Sequence, residues 1–293
     1  METTILKREL INIKTTVAHQ GFMGHDHTAR SVIQDEFASS DPFILLMDDF
    51  LDKKDTEPVG GPHPHAGFET VSLLLEGEIG DETHMMQAGD FQIMTAGSGI
   101  VHTESIEKKT KLRLLQMWLN LPKKDRWATP RVQDLAFGSV PKISENGLEL
   151  RLYSGEMAGL KSPVQNHTPL IVAEIHLEPG IVTRQQLNAS YNAFLYVVDG
   201  SIEVGDSREI LNENQVGWLG RSAEKDESEL VLTGGKSGGK VVLYAAEPQN
   251  HPIVSYGPFI ADQEEEIKDL YRDFRHGKIG HVSALPAAQR FSY

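Results

Sequence analysis

The chain contains no cysteine. That removes disulfides, thiolate nucleophiles and the thiolate ligands of zinc-finger and iron–sulfur sites. Long apolar runs are missing too: no stretch approaches the roughly 18 residues that a membrane-spanning helix needs. The start, Met1-Glu2-Thr3-Thr4-Ile5-Leu6-Lys7-Arg8-Glu9, has neither an apolar core nor a small-residue cleavage site, so it does not read as a signal peptide. A cytoplasmic protein is expected. Positive charge is scarce: 28 Lys and Arg against 42 Asp and Glu leave a formal net charge of −14. Nucleic acid and anionic membranes are recognised by clustered basic residues, so neither is expected as a direct partner. The acidic runs, such as Glu224-Lys225-Asp226-Glu227 and Gln263-Glu264-Glu265-Glu266, read as solvated faces.

What is present fits a water-facing globular chain: 293 residues, 39% hydrophobic and 24% charged, enough for two domains. Short apolar runs alternate with turns. Phe68–Leu75 ends at Glu76-Gly77, Phe91–Met94 follows Ala88-Gly89-Asp90, and Leu112–Leu119 alternates in part. Turn signals every 8 to 15 residues predict an all-β sandwich or barrel rather than βαβ units. The rhythm lapses over Pro122–Gly147 and resumes at Leu148. The halves then look like distant copies: Leu73-Leu74-Leu75-Glu76-Gly77-Glu78-Ile79 parallels Tyr196-Val197-Val198-Asp199-Gly200-Ser201-Ile202. We therefore expect two tandem barrels, residues 1–135 and 161–293, joined by a segment at 136–160. Near the end, Ile267, Leu270, Tyr271 and Phe274 are spaced as one face of a short helix, near 263–276, with Asp262 as N-cap and Gly277 past its end. The stretch from Ala284 onward reads as coil.

Two runs carry the chemistry: Pro62-His63-Pro64-His65 and Val101-His102-Thr103-Glu104. Residues i and i+2 of a strand face the same side, roughly 7 Å apart. Two such pairs facing each other can enclose one ion with His63, His65, His102 and Glu104. Three imidazoles and a carboxylate suit a redox-active or Lewis-acid metal.

Residues 62–77 and 89–104 resemble the two metal-binding motifs of the pirin-like bicupins, and Pro252-Ile253-Val254-Ser255-Tyr256-Gly257-Pro258-Phe259 resembles that family's C-terminal signature. The resemblance spans nearly the whole chain. It implies two cupin barrels with a short C-terminal helix, and one divalent metal, Fe(II) by family habit, in the first. Mn, Ni, Cu or Zn would also suit the ligand set. It implies His63, His65, His102 and Glu104 as ligands. Several bacterial relatives are quercetin 2,3-dioxygenases, and eukaryotic relatives act as nuclear transcription co-regulators. The expected function is a dioxygenase that opens the ring of a flavonol such as quercetin with O₂, with Glu104 as the base that takes the hydroxyl proton. The alternative is an iron-binding redox sensor that acts through a protein partner without turnover. A monomer is expected in either case.

The general cupin pattern puts its carboxylate four residues after the second histidine, here Glu69. Strand parity lets Glu69 face the same side, but some 13 Å of strand separates it from His65, so Glu104 is favoured. Ala66 stands where relatives carry a basic residue, which predicts a less positive mouth. Phe68, Leu73, Met94 and Trp118 are candidate pocket walls. His25 and His27 also form an i, i+2 pair, but in a loop with no partner pair, and His84 lies between the motifs. His167, His176, His251, His276 and His281 are isolated. With no His-x-His, the second barrel is expected to be metal-free.

Overall fold

A computed structural model of the protein describes residues 5–34, 36–80, 85–224 and 226–293. His84 lies outside the described residues. The chain is mostly β and forms two compact units, each built on one large sheet. Among the described residues no helix is long and apolar enough to cross a membrane.

The metal-motif unit contains residues 17–139 and 249–293. Its eight-stranded sheet runs, in spatial order, Arg290–Ser292, Arg131–Leu135, Phe91–Thr95, Phe68–Glu76, Thr110–Asn120, Phe43–Lys53, His27–Ile33 and Ala18–Gln20. Phe68–Glu76 is central. It pairs antiparallel with Phe91–Thr95 on one side and with Thr110–Asn120 on the other. Its pleat sorts the side chains: Ser72 lies level with Gln92 and Gln116 on one face, and Val71 lies level with Ile93 and Met117 on the other. Two short hairpins cap the sheet, His63–His65 with Ile100–His102 and Glu78–Gly80 with Met85–Gln87.

The other unit contains residues 1–16 and 140–248 around a ten-stranded sheet. Its central strands, Asn192–Val204 and Glu227–Ala246, are buried on both faces. Leu195, Val197, Leu243 and Ile175 belong to one apolar cluster. On the reverse face Phe194 stacks on Tyr244, with ring centroids 5.0 Å apart.

This division differs from the boundaries expected at 1–135, 136–160 and 161–293. Both chain ends cross over. Leu10–Thr15 pairs with Gln215–Leu219 in the ten-stranded sheet, and Arg290–Ser292 adds to Arg131–Leu135 in the eight-stranded one. The expected linker is largely structure: Lys142–Glu145 and Leu148–Ser154 are paired strands. Prolines break the strand rhythm there without preventing edge pairing. The stretch expected as coil after Ala284 ends in a short strand.

The C-terminal helix runs Glu264–Arg275. Its N-cap is Gln263, one residue later than expected, and Glu266 Oε2 accepts the backbone N–H groups of both Asp262 and Gln263. Asp262 is drawn elsewhere. Its carboxylate accepts from the fully buried Arg126, Nε at 3.2 Å and Nη2 at 3.1 Å.

Candidate metal centre

The first histidine strand is short and rigid. Pro62 and Pro64 hold the backbone extended, and the missing N–H of Pro64 is tolerated in a two-stranded hairpin. In the ladder His102 lies directly opposite His63, and Ile100 opposite His65. Both ends of the turn need glycine. A Cβ on Gly60, at φ +76°, would meet the Glu104 carbonyl oxygen at 2.3 Å, and one on Gly67, at φ +84°, would meet the Ile260 carbonyl oxygen at 1.9 Å.

The register brings three imidazoles to a point. His102 Nε2 lies 2.8 Å from His63 Nε2 and 3.1 Å from His65 Nε2. Among the described residues His63, His65 and His102 form a group whose ligand atoms all lie within 4.8 Å of one another. Two metal–nitrogen bonds of about 2.1 Å at a right angle put their nitrogens about 3 Å apart, so the spacing fits one shared ion. The protonation pattern agrees. His63 Nδ1 is 3.0 Å from the Gly61 carbonyl and donates to it, which leaves a lone pair on Nε2. Burial pushes the pKa of His65 well below the ordinary value, His102 and His63 push it further, and the Pro258 carbonyl opposes them. His65 Nδ1 nonetheless lacks a well-formed hydrogen bond. Burial also lowers His102, with His63 and His281 adding and Glu104 opposing. Neutral imidazoles are what a divalent ion requires, so the group can hold a metal.

Glu104 stands beside this group rather than inside its 4.8 Å circle. It lines the same cavity as His102, and its Oε1 accepts from Gln116 Nε2 at 3.0 Å. Glu69 is elsewhere. The tight turn at Ala66-Gly67 restarts the pleat, so Phe68 rather than Glu69 packs against His65, with ring centroids 5.2 Å apart. Glu69 lies on the reverse face, where Oε1 accepts from Thr95 Oγ1 at 2.6 Å and Oε2 has no partner. Burial raises its pKa to about 7, against the Thr95 hydrogen bond and the Arg131 charge. Ala66 is fully buried against Phe259 and takes no part in the mouth.

Of the expected walls, Met94 lines the cavity, together with Ser72, Gln92, Leu114 and Val132. Trp118 packs on Phe68 and His65, at 4.3 and 5.3 Å between centroids. Leu73 has the opposite parity to Ser72 and faces away. His27 is a core residue: Nδ1 accepts from Met23 N–H at 3.1 Å and Nε2 donates to Asp49 at 2.9 Å, while His25 is exposed.

Sequence reasoning missed the support. Arg126 Nη1 donates to the Gly67 carbonyl at 2.7 Å and to Asn120 Oδ1 at 2.6 Å, and so ties the histidine turn to Asp262. Ile260 N–H donates to the Ala66 carbonyl at 3.0 Å. His281 Nε2 lies 3.0 Å from Thr103 Oγ1, and Val282 lines the cavity. The only advance sign of these roles was the C-terminal signature, which begins the return of the chain to this unit.

Comparison with known proteins agrees with this architecture. The Pirin family profile matches residues 16–119 and the Pirin C-terminal cupin domain matches residues 172–280. Human Pirin is 35% identical over 264 residues, covering 87% of this chain and 88% of its own length. The structure of a quercetin 2,3-dioxygenase from Acinetobacter baumannii superposes with a TM-score of 0.80 at 26% identity, over 93% of this chain and 98% of its own. The Escherichia coli bacterial pirin YhhW, solved in complex with nickel(II), shares the fold with a TM-score of 0.59 at 17% identity, over 81% and 98%. Identity to human Pirin across nearly the full length of both chains makes this chain a member of the pirin family of bicupins.

Proposed function

We propose that this chain is a metal-dependent dioxygenase that opens the ring of a flavonol-like aromatic with O₂. The observation that carries the reading is the convergence of three imidazoles, one of which, His102, lines a cavity together with the Glu104 carboxylate. His63, His65, His102 and Glu104 are the proposed ligands, and iron is the proposed metal. Such an ion supplies Lewis acidity and one-electron chemistry toward O₂. The chain's own residues do the rest. Met94, Leu114 and Val132 exclude water around an aromatic ring. Glu104, which accepts a hydrogen bond from Gln116, is the proposed base for the proton of a substrate hydroxyl. The quercetin dioxygenase named above supports this substrate class. The protein is proposed to act as a cytoplasmic monomer.

A second reading draws on the tightness of the cavity: a metal-binding protein whose oxidation state is sensed by a protein partner, with no turnover. Oxygen uptake separates the two. Protein of measured metal content is mixed with quercetin in an oxygen electrode. The dioxygenase reading expects uptake matched to quercetin loss, abolished in Glu104→Ala. No uptake by fully iron-loaded protein overturns it in favour of the regulator. Elemental analysis of the same samples identifies the metal, with Mn, Ni, Cu and Zn as alternatives to iron.

A further inference from the structure

The cavity beside the metal centre has a volume of about 50 Å³. At roughly 10–15 Å³ per water it holds only a few waters, and a cavity of ~150 Å³ is of the size that takes benzene. A flavonol, with three rings, enters only if a wall yields. Ser72, Gln92, Met94, Leu114 and Val132 are fixed in the ladders of the eight-stranded sheet. Val282 comes from a distant segment: it sits on the single turn Val282–Ala284 in the C-terminal tail and packs in a buried cluster with Met94, Ile100 and Val132.

Polar contacts seat that turn as well as the packing: a backbone bridge joins His281 to Val101. Val101 N–H donates to the Gly280 carbonyl at 2.9 Å. Arg290 Nη2 donates to the carbonyls of Val282 at 2.9 Å and Ser283 at 2.6 Å. His281 Nδ1 accepts from Ser283 N–H at 3.1 Å, which leaves Nε2 to donate to Thr103 Oγ1 at 3.0 Å. Thr103 stands between His102 and Glu104 and lines the cavity itself. The hydrogen bond therefore joins this wall to the segment that bears the second pair of proposed ligands.

We propose that Val282, seated by the His281–Thr103 hydrogen bond, is the specificity-determining wall of this cavity and sets the largest aromatic that reaches the metal centre. With Val282 in place the cavity falls short of even one ring by that measure, and a smaller side chain there lets more of a flavonol-like aromatic in. The inference rests on the dioxygenase reading of the same site.

The test uses full-length wild type, Val282→Ala and Val282→Leu, each metal-loaded, with metal content and ligand affinity measured separately. Isothermal titration with catechol and with quercetin gives a ratio of dissociation constants for each protein. Val282→Ala is expected to shift the ratio toward quercetin by about tenfold, the scale of a methyl-sized change in a pocket. Val282→Leu shifts it the other way, and metal content stays constant. His281→Ala follows Val282→Ala with a smaller shift. If Val282→Ala does not fold, the opposite shift in Val282→Leu carries the test alone. One ratio shared by all variants, with both ligands bound, overturns the wall and leaves the metal reading standing. Binding of neither ligand by metal-loaded wild type overturns both.

Discussion

The two barrels share a strand, acid–glycine turn, strand repeat but not an interior. Aligning Leu73–Ile79 with Tyr196–Ile202 sets Ser72 against Leu195. In its ladder Ser72 lies opposite Gln92, whereas Leu195 lies opposite Gly217. Ser72 and Gln92 line the cavity beside the imidazoles. Leu195 is sealed in an apolar cluster, and a Cβ on Gly217 would come within 2.4 Å of Leu10 and 3.1 Å of Leu211. One framework thus closes on hydrocarbon, and the other leaves a cavity beside His102. A few interior positions decide which barrel has an open interior.

The largest expected effect breaks the comparison at its centre. His102 is shared by both short imidazole contacts, so His102→Ala should lower metal affinity by more than about 100-fold, beyond the range seen for supporting residues. Titration calorimetry with elemental analysis reads this. Retention of one tight ion per chain would move the site elsewhere. The counterpart in the second barrel is Leu195→Ala. It should cost roughly 2–5 kcal/mol of stability in urea denaturation, with metal content unchanged. A loss of metal in that variant would mean that the barrels do not divide the work as argued.

Glu69 tests the sheet rather than the site. Its folded pKa, about 7, lies above the free value of 4.5, so the folded state holds the proton more tightly. The stability this adds is full below about pH 4.5 and is lost as pH rises through about 7, beyond which the curve is flat. Glu69→Gln keeps an acceptor for Thr95 and removes the titration. It should be more stable than wild type by up to roughly 3 kcal/mol at pH 8 and no more stable at pH 4. Chemical denaturation at the two pH values decides. A gain that does not depend on pH would mean that Glu69 is not a buried, protonated acid.

What was legible in the chain was local. The His-Pro-His run and the His-Thr-Glu run declare candidate ligands because i, i+2 spacing in an extended segment needs nothing from the rest of the fold, and the strand rhythm announces barrels for the same reason. Glu69 was read with the wrong parity because Gly67 restarts the pleat, and alternation cannot be counted across such a turn. The crossed termini were illegible. Leu10 and Val282 complete barrels whose central strands lie well over a hundred residues away, and neither a six-residue edge strand nor a single helical turn announces so distant a partner. Asp262 looked like a helix cap because its partner, Arg126, is 136 residues distant.

The smallest effect concerns the proposed ligand that stands apart from the histidines. Glu104 lies outside the tight histidine group, and its Oε1 accepts from Gln116, which lies level with Ser72 on the cavity side of the central ladder. The second barrel needs no such donor. If Glu104 is a ligand, Gln116 orients it, and Gln116→Leu should weaken metal binding by about tenfold, as for other partners that hold a ligand in place. The thermal midpoint of metal-free protein should barely move, because Gln116 is only partly buried and leucine fills a similar volume. Comparison with Glu104→Gln completes the argument. If the two changes act through one carboxylate, the double variant should be no worse than Glu104→Gln alone. Additive losses would mean that Gln116 supports the histidines directly, and an affinity unchanged in both single variants would leave the ion to the three imidazoles.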